Sequence, residues 1–298
     1  MNRTTVIYHS ADFDGIFCRE IAKKFLPDAE LIGWNHGDPL IPFPEEGYVY
    51  LLDLSPQCLV FPPPEFGMSR LFWIDHHATA IAKFPSSIYG YRIDGVAACR
   101  LAWQWFNNDH ADFHSLGLPK KEHYVDRIVD EPYAVRLAGE YDIWDKRDPN
   151  ADIFQMGLRS QELTPEVWKN LLDREVPESL RGTWAMVLIN QGVAVQYAKT
   201  HENESIIKHA GFTLKWEGLT FLAVNHARYN SFLFTAGLKP EHDACYGFAY
   251  RNGQWTVSLY HAPGKEHHDL AKIAVKYGGG GHKGACGFQA KTLPFLTP

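Results

Sequence analysis

Leu71-Phe72-Trp73-Ile74-Asp75-His76-His77 runs from an apolar stretch directly into one acid and two imidazoles, and two stretches upstream do the same. Thr4-Thr5-Val6-Ile7-Tyr8 leads into His9-Ser10-Ala11-Asp12-Phe13-Asp14-Gly15, and Tyr48-Val49-Tyr50-Leu51-Leu52 ends in Asp53. Short, largely apolar runs describe strands buried on both faces, as in a parallel sheet. In an open parallel sheet, ligands collect beyond the carboxyl ends of the strands, where loops bring together residues far apart in sequence. Three strands that deliver Asp or His there describe a metal site. Carboxylates gathered without a cation between them repel, and Asp with His suits manganese, magnesium, iron or zinc.

The rest of the N-terminal half fits that sheet. From 15 to 25, Ile16, Phe17, Ile21 and Phe25 recur at helical spacing, and another strand runs from 31 to 34. The strand and helix alternation predicts a parallel α/β sheet. From Gly95 to about Ala210 the pattern is helical, with an apolar segment over 96–106 and a second stretch over 123–144, so helices cover both faces. Trp103, Trp105 and Phe106 read as core. The segment 178–210 reads as one long helix that turns polar at Lys199-Thr200-His201-Glu202-Asn203-Glu204. Short strands follow at 212–216, 219–224, 245–250 and 255–260, with turns at Glu217-Gly218 and Asn252-Gly253. The expected organisation is an α/β metal-binding domain over 1–177, a helical linker over 178–210 and a smaller C-terminal α/β domain over 211–298.

Composition bounds the partners. The 298 residues, 45% of them hydrophobic, supply enough apolar material for such cores. Twenty-nine basic and 35 acidic residues give a net charge of −6, against a broad basic surface for long duplex nucleic acid. An anionic substrate then has to be attracted locally. Cys18, Cys58, Cys99, Cys245 and Cys286 are scattered and odd in number, which fits a reducing compartment. No run of about 18 apolar residues is present, and the chain enters its first strand with no room for a signal peptide. The expected location is the cytoplasm, or the host cytoplasm for a viral protein, with no membrane partner.

Near the C-terminus a helix over 270–276 runs into Tyr277-Gly278-Gly279-Gly280-Gly281-His282-Lys283-Gly284-Ala285-Cys286-Gly287. Consecutive glycines permit positive φ and close backbone approach, so successive N–H groups are expected to form a nest for an oxyanion, with His282 and Lys283 adding donors.

Taken together, His9-x-x-Asp12-x-Asp14-Gly15, Asp53, Asp75-His76-His77, Asp142 in Tyr141-Asp142-Ile143-Trp144, and Gly278-Gly-Gly-Gly281-His282-x-Gly-Ala-x-Gly287 resemble the DHH phosphoesterase superfamily with its DHH-associated C-terminal domain, in order and over nearly the whole chain. The resemblance implies two divalent ions, manganese foremost, with magnesium, cobalt or iron as alternatives. It places one ion on His9, Asp12 and Asp53, and the other on Asp14, Asp53, His76 and Asp142, with Asp53 as the bridge. Asp75 would orient His76, and His77 would face the phosphate. Gly279, Gly280, Gly281 and His282 would grip the substrate from the second domain. Two departures stand out. His9 is one residue closer to Asp12 than in many relatives, and Tyr260 replaces an Arg two residues after the Ser of the C-terminal strand.

Other residues are weighed beside these. Asp145 competes with Asp142 as the late ligand or serves as its salt-bridging neighbour. His267-His268 reads as a solvated pair. Asn225, His226 and Arg228 read equally as a turn or as substrate wall, and Tyr260 as a base-stacking ring. Three functions remain open. The first is a nuclease or phosphodiesterase on short oligonucleotides or small signalling nucleotides, most like the short-oligoribonucleotide branch. The second is a phosphatase on a small monoester or anhydride, and the third is a non-catalytic nucleotide sensor. Homodimers are common in similar proteins.

Overall fold

The computed structural model describes residues 4–61, 68–107, 119–145, 147–172 and 178–296, with side chains of the last span from 184 onward. In the N-terminal part the elements are β1 (Thr4–His9), α1 (Phe13–Phe25), β2 (Glu30–Trp34), β3 (Ile41–Pro42), β4 (Tyr48–Leu52), β5 (Leu59–Val60), β6 (Leu71–Ile74), α2 (Ala78–Lys83), α3 (Ala98–Asn107), α4 (Lys121–Val125), α5 (Tyr133–Asp142), α6 (Asn150–Leu158) and α7 (Pro165–Leu172). The long α8 (Glu178–Ala210) leads to β7 (Gly211–Trp216), β8 (Leu219–Asn225), α9 (Ser231–Phe234), β9 (Ala244–Arg251), β10 (Gln254–His261), α10 (Leu270–Lys276), β11 (Gly280–His282) and β12 (Ala285–Ala290). The chain divides into two compact units, Met1–Val195 and Gln196–Pro298, with the division inside α8. Residues 1–3, and the expected boundary at 177, lie outside the described residues.

In the first unit β2, β1, β4 and β6 form a parallel sheet in that order. The strands lack simple alternation because each face is covered. Val6, Leu52 and Ile74 share one core with Phe17, Ile21, Leu101 and Trp103 from α1 and α3. Their neighbours Ile7, Leu51 and Trp73 share the other with Trp34, Phe43, Leu59 and Ala80 of α2. Adjacent residues thus serve opposite cores, as the pleat requires, and the carboxyl ends of the strands are fixed from both sides. Trp103, Trp105 and Phe106 are buried in the first core. The helical stretch expected over 123–144 is two helices. Arg127 sits at φ 58° just past α4, and Pro132 caps α5, so the backbone cannot continue as one helix there.

The second unit is a six-stranded sheet in the order β11-β12-β10-β9-β8-β7, antiparallel except for the β8–β9 pair. One face packs with α10 through Leu270 and Ala274, and the other carries Leu222, Val224, Leu233, Phe234 and Cys245. All five cysteines are buried free thiols. Among the described residues no helix is long and apolar enough to cross a membrane.

Candidate metal centre

Each ligand candidate is placed by the element it ends or begins. Beyond β1 the chain turns into α1 with Asp12 as N-cap, where Asp12 Oδ1 accepts from the Gly15 N–H at 3.1 Å. Its other oxygen is then free for His9, and Oδ2 lies 3.1 Å from His9 Nδ1. The short His9-x-x-Asp12 spacing therefore still brings the two together. Gly15 makes this turn possible, because a Cβ there would stand 1.9 Å from the His9 carbonyl oxygen.

Asp14 is buried at the start of α1, and its two oxygens accept from the first amides of α3, Ala98 N at 2.9 Å and Cys99 N at 2.7 Å. Those N–H groups have no partner within their own helix, and the positive end of the helix favours an anion. Asp53 follows β4 in the left-handed region at φ 56°, donates its N–H to Ile74 O at 2.9 Å, and has a buried carboxylate. Asp residues tolerate this conformation better than most.

The side chains converge on shared points. His9 Nδ1 lies 3.4 Å from Asp53 Oδ2, while His76 Nε2 lies 3.4 Å from Asp53 Oδ1, 3.4 Å from Asp142 Oδ2 and 3.6 Å from Asp14 Oδ2. Three sets of ligand atoms are compact enough to hold an ion: His9, Asp12 and Asp53; Asp14, His76 and Asp142; and Asp53, His76 and His77, each within 4.8 Å. Asp53 Oδ1 is buried and makes no hydrogen bond, although the His76 nitrogen is close, so the two atoms lie side by side without donating to each other.

The charges record the same crowding. The Asp12 and Asp53 carboxylates push His9 up to about 10. Burial disfavours a charged His76, yet the close Asp53 carboxylate and the charges of Asp14 and Asp142 carry it to about 10. Burial and then the Asp53 charge raise Asp142 to about 6. Asp14 stands well above the carboxylate range through burial, then through Asp53 and Asp142. Burial also opposes the charged form of Asp53, but the close His76 and His9 imidazoles win and hold it low. In the protein alone, imidazolium protons supply the positive charge that the carboxylates demand.

One expected role shifts. Asp75 does not hold the His76 ring. Its Oδ1 lies 2.7 Å from His77 Nδ1 and accepts from the backbone N–H of His76 at 2.7 Å and of His77 at 3.2 Å. Its Oδ2 accepts from Trp73 Nε1 at 3.2 Å. The buried carboxylate thus fixes the main chain of His76 and the ring of His77, because the residue after a strand end turns its side chain away from its immediate neighbour. The pairing raises the His77 pKa. Asp145 pairs with Arg147, Nε to Oδ1 at 2.8 Å, rather than joining the cluster.

In the second unit Ala285 pairs with both Tyr260 and His282, so these three residues form one row across β10, β12 and β11 and share a face. Tyr260 lies 6.1 Å from the Phe234 ring, and His282 is exposed. Asn225 pairs with Phe248, a residue of the opposite core, which sends it to the other face. Arg228 lies in the turn beyond, where its N–H donates to His226 Nδ1 at 3.3 Å. His268 Nε2 lies 3.6 Å from Asp243 Oδ1. The glycine run is not a nest of successive positive-φ residues. Only Gly278 and Gly281 have positive φ, and Gly280 and Gly281 belong to edge strand β11. The run is glycine because the strand packs closely: a Cβ on Gly279 would stand 2.0 Å from the Gly287 carbonyl oxygen.

Sequence patterns alone left several contacts unseen. The grip of α3 on Asp14 joins residues 84 and 85 apart. His36, whose ring centroid lies 6.0 Å from that of His9, belongs to a loop without any motif.

No protein-family profile matches the chain, and no curated protein matches it. Solved structures do. The DHH domain of a member of the s1p family of ribosomal proteins aligns over 97% of this chain and 82% of its own, with 10% identity and a TM-score of 0.53. A pGpG-specific phosphodiesterase, PggH from Vibrio cholerae, aligns over 97% and 93%, with 13% identity and a TM-score of 0.46. RecJ from Thermus thermophilus in complex with Mn2+ aligns over 97% of this chain and 49% of its own, with 14% identity and a TM-score of 0.43. The fold of this chain is that of the DHH domain with which it aligns.

Proposed function

We propose that the protein is a two-metal phosphodiesterase that hydrolyses short oligonucleotides or small signalling nucleotides to mononucleotides. The observation that carries this reading is Asp53: one buried carboxylate faces two sets of ligand atoms, His9 with Asp12 on one oxygen and His76 with Asp14 and Asp142 on the other. The donors fit divalent ions. Carboxylate oxygen with imidazole nitrogen suits manganese foremost, and magnesium, cobalt or iron, and the buried Asp53 Oδ1 lacks any hydrogen bond. His9, Asp12 and Asp53 would hold one ion, and Asp14, Asp53, His76 and Asp142 the other. Such a pair, when bound, ionises water near neutral pH and neutralises charge on a phosphoryl group.

The chain's own residues do the rest. Asp14 stays fixed by the α3 amides, which hold it in place whether or not a cation is present. Asp75 locks His77 through Nδ1, leaving Nε2 as the ring nitrogen for a phosphate oxygen, and the raised pKa favours the donating, charged form. His282 and Tyr260 on their shared face, with Gly279, Gly280 and Gly281 beside them, are the second unit's substrate contacts in this reading. The net charge of −6 supports a small substrate over a long strand.

The test is chromatography of products after incubation with manganese and a panel of di- to decaribonucleotides, linear and cyclic dinucleotides, 3′,5′-bisphosphonucleotide and pyrophosphate. Mononucleotides released fastest from the shortest oligomers are expected. Phosphate released only from monoesters or anhydrides would replace the reading with a phosphatase, and binding without turnover in any metal with a sensor.

A further inference from the structure

A cavity of about 370 Å³ within the first unit shares Asp53 and His77 with the metal cluster and is lined besides by His36, Ser55, Gln57, Thr79 and Lys83, with Leu54 and Ala80. Its volume lies in the range of small-molecule sites, roughly 300–1,000 Å³. Its chemistry is graded. The wall at Asp53 belongs to the proposed ion site, the floor is apolar and buried, and Ser55, Gln57 and Thr79 offer neutral donors and acceptors.

The positive charge is Lys83, which ends α2 while His77 caps its start. That ammonium lies 5.5 Å from the Phe84 ring centroid, and among the described residues no carboxylate pairs with it. An exposed imidazole, His36, stands edge-on to Trp34 with centroids 5.5 Å apart and presents a flat face. A chain of phosphates would need a cation for every unit, whereas this cavity has one lysine, at the opposite end of α2 from His77, among the neutral hydrogen-bonding groups Ser55, Gln57 and Thr79. The arrangement matches a single nucleoside whose far end carries one more anionic phosphate.

We propose that this cavity receives the terminal nucleoside of the substrate, with Lys83 on that nucleoside's terminal phosphate and Gln57 bonded to its sugar or base. This deepens the phosphodiesterase reading and rests on it. Lys83 and Gln57 then set specificity: with the scissile phosphodiester at the site of His9, Asp12, Asp14, Asp53, His76 and Asp142, Lys83 measures whether the adjoining unit ends in phosphate.

The experiment compares kcat/KM for pApA, ApAp and ApA on wild type, Lys83→Ala, Lys83→Arg and Gln57→Ala. Wild type is expected to prefer one phosphorylated dinucleotide over ApA by about tenfold or more, the worth of a hydrogen bond between charged groups. Preference for pApA assigns the 5′-phosphate to Lys83, and preference for ApAp assigns the 3′-phosphate. Lys83→Ala should erase the preference through KM, Lys83→Arg should keep much of it, and Gln57→Ala should lower all three substrates alike. A wild type indifferent to the terminal phosphate, or a preference that survives Lys83→Ala, overturns the proposal. If wild type hydrolyses none of the three, the phosphodiesterase reading fails, and equilibrium binding of pApA to wild type and Lys83→Ala then decides the cavity alone: equal affinities overturn it, and at least tenfold weaker binding to the variant upholds it.

Discussion

Loading the centre with manganese should expel protons, and the two half-buried imidazoles set the minimum number. In the protein alone the Asp12 and Asp53 carboxylates keep His9 protonated up to about 10, and His76 reaches about 10 despite burial because Asp53, Asp14 and Asp142 surround it. Metal ligation requires each imidazole to be neutral. Both rings carry nearly a full proton well below pH 9, so filling both sites between pH 7 and 8.5 should release at least these two protons, with any that the raised Asp14 carries in addition. Asp142, raised only to about 6, adds little in that window. Apparent affinity should climb about tenfold per pH unit for each ion and flatten near pH 10. The assay is a manganese titration of chelator-treated protein in weak buffer with a pH indicator, paired with calorimetry in two buffers of different ionisation enthalpy. His76→Gln should release about one proton fewer than wild type. No release at pH 7.5, or an affinity constant from pH 7 to 9, would refute the charge assignment of the cluster.

Other expectations follow from the same structure. Asp53→Asn keeps a residue that tolerates φ 56° but removes the shared carboxylate; turnover should fall by more than the roughly 10–100-fold that outer partners of a metal site cost, and manganese should no longer raise the melting temperature. Undiminished turnover would remove Asp53 from the centre. Without metal, folding stability should be highest below about pH 6.5 and should decline as pH rises toward 10, because His9 and His76 are both raised in the folded state. Urea unfolding in chelator across that range checks the sign, and a rise in stability would contradict it. Arg127 donates to both oxygens of the buried Glu140, at 2.8 Å each, two residues before Asp142. Arg127→Ala should cost about 3 kcal/mol by stranding that carboxylate beside Arg136 alone; a loss under about 1 kcal/mol in urea unfolding would show that Arg136 suffices.

Features that depend on neighbours in the chain were legible beforehand. The runs that form β1, β4 and β6 announce themselves because both faces are covered, and Asp12, Asp14, Asp53 and His76 can be picked out because parallel strands deliver their ends to one edge, whereas Asp142, at the end of α5, came only from the resemblance. What escaped depends on side-chain direction or on distant packing. Asp75 takes hold of His77 rather than His76, a choice made by rotamers. The amides that grip Asp14 come from a helix whose start is fixed by tertiary packing. The glycine run was read for its freedom of φ, whereas its use at Gly279 is the absence of a Cβ against Gly287. The helix break at Arg127 carries no glycine or proline at that position, since a single residue adopts left-handed backbone there. No motif marks Gln57 or Lys83.

The grip of α3 on Asp14 bears on how the molecule comes into being. A carboxylate near the chain's beginning waits for amides that follow 84 and 85 residues later, and Asp142 comes later still. Contacts of such long sequence separation form only after costly loop closure. A cation at the proposed Asp14, His76 and Asp142 seat would therefore find it complete only late in folding, unlike one at His9, Asp12 and Asp53. On the two-metal reading, filling of that later seat during refolding would serve as a clock for the completed N-terminal unit.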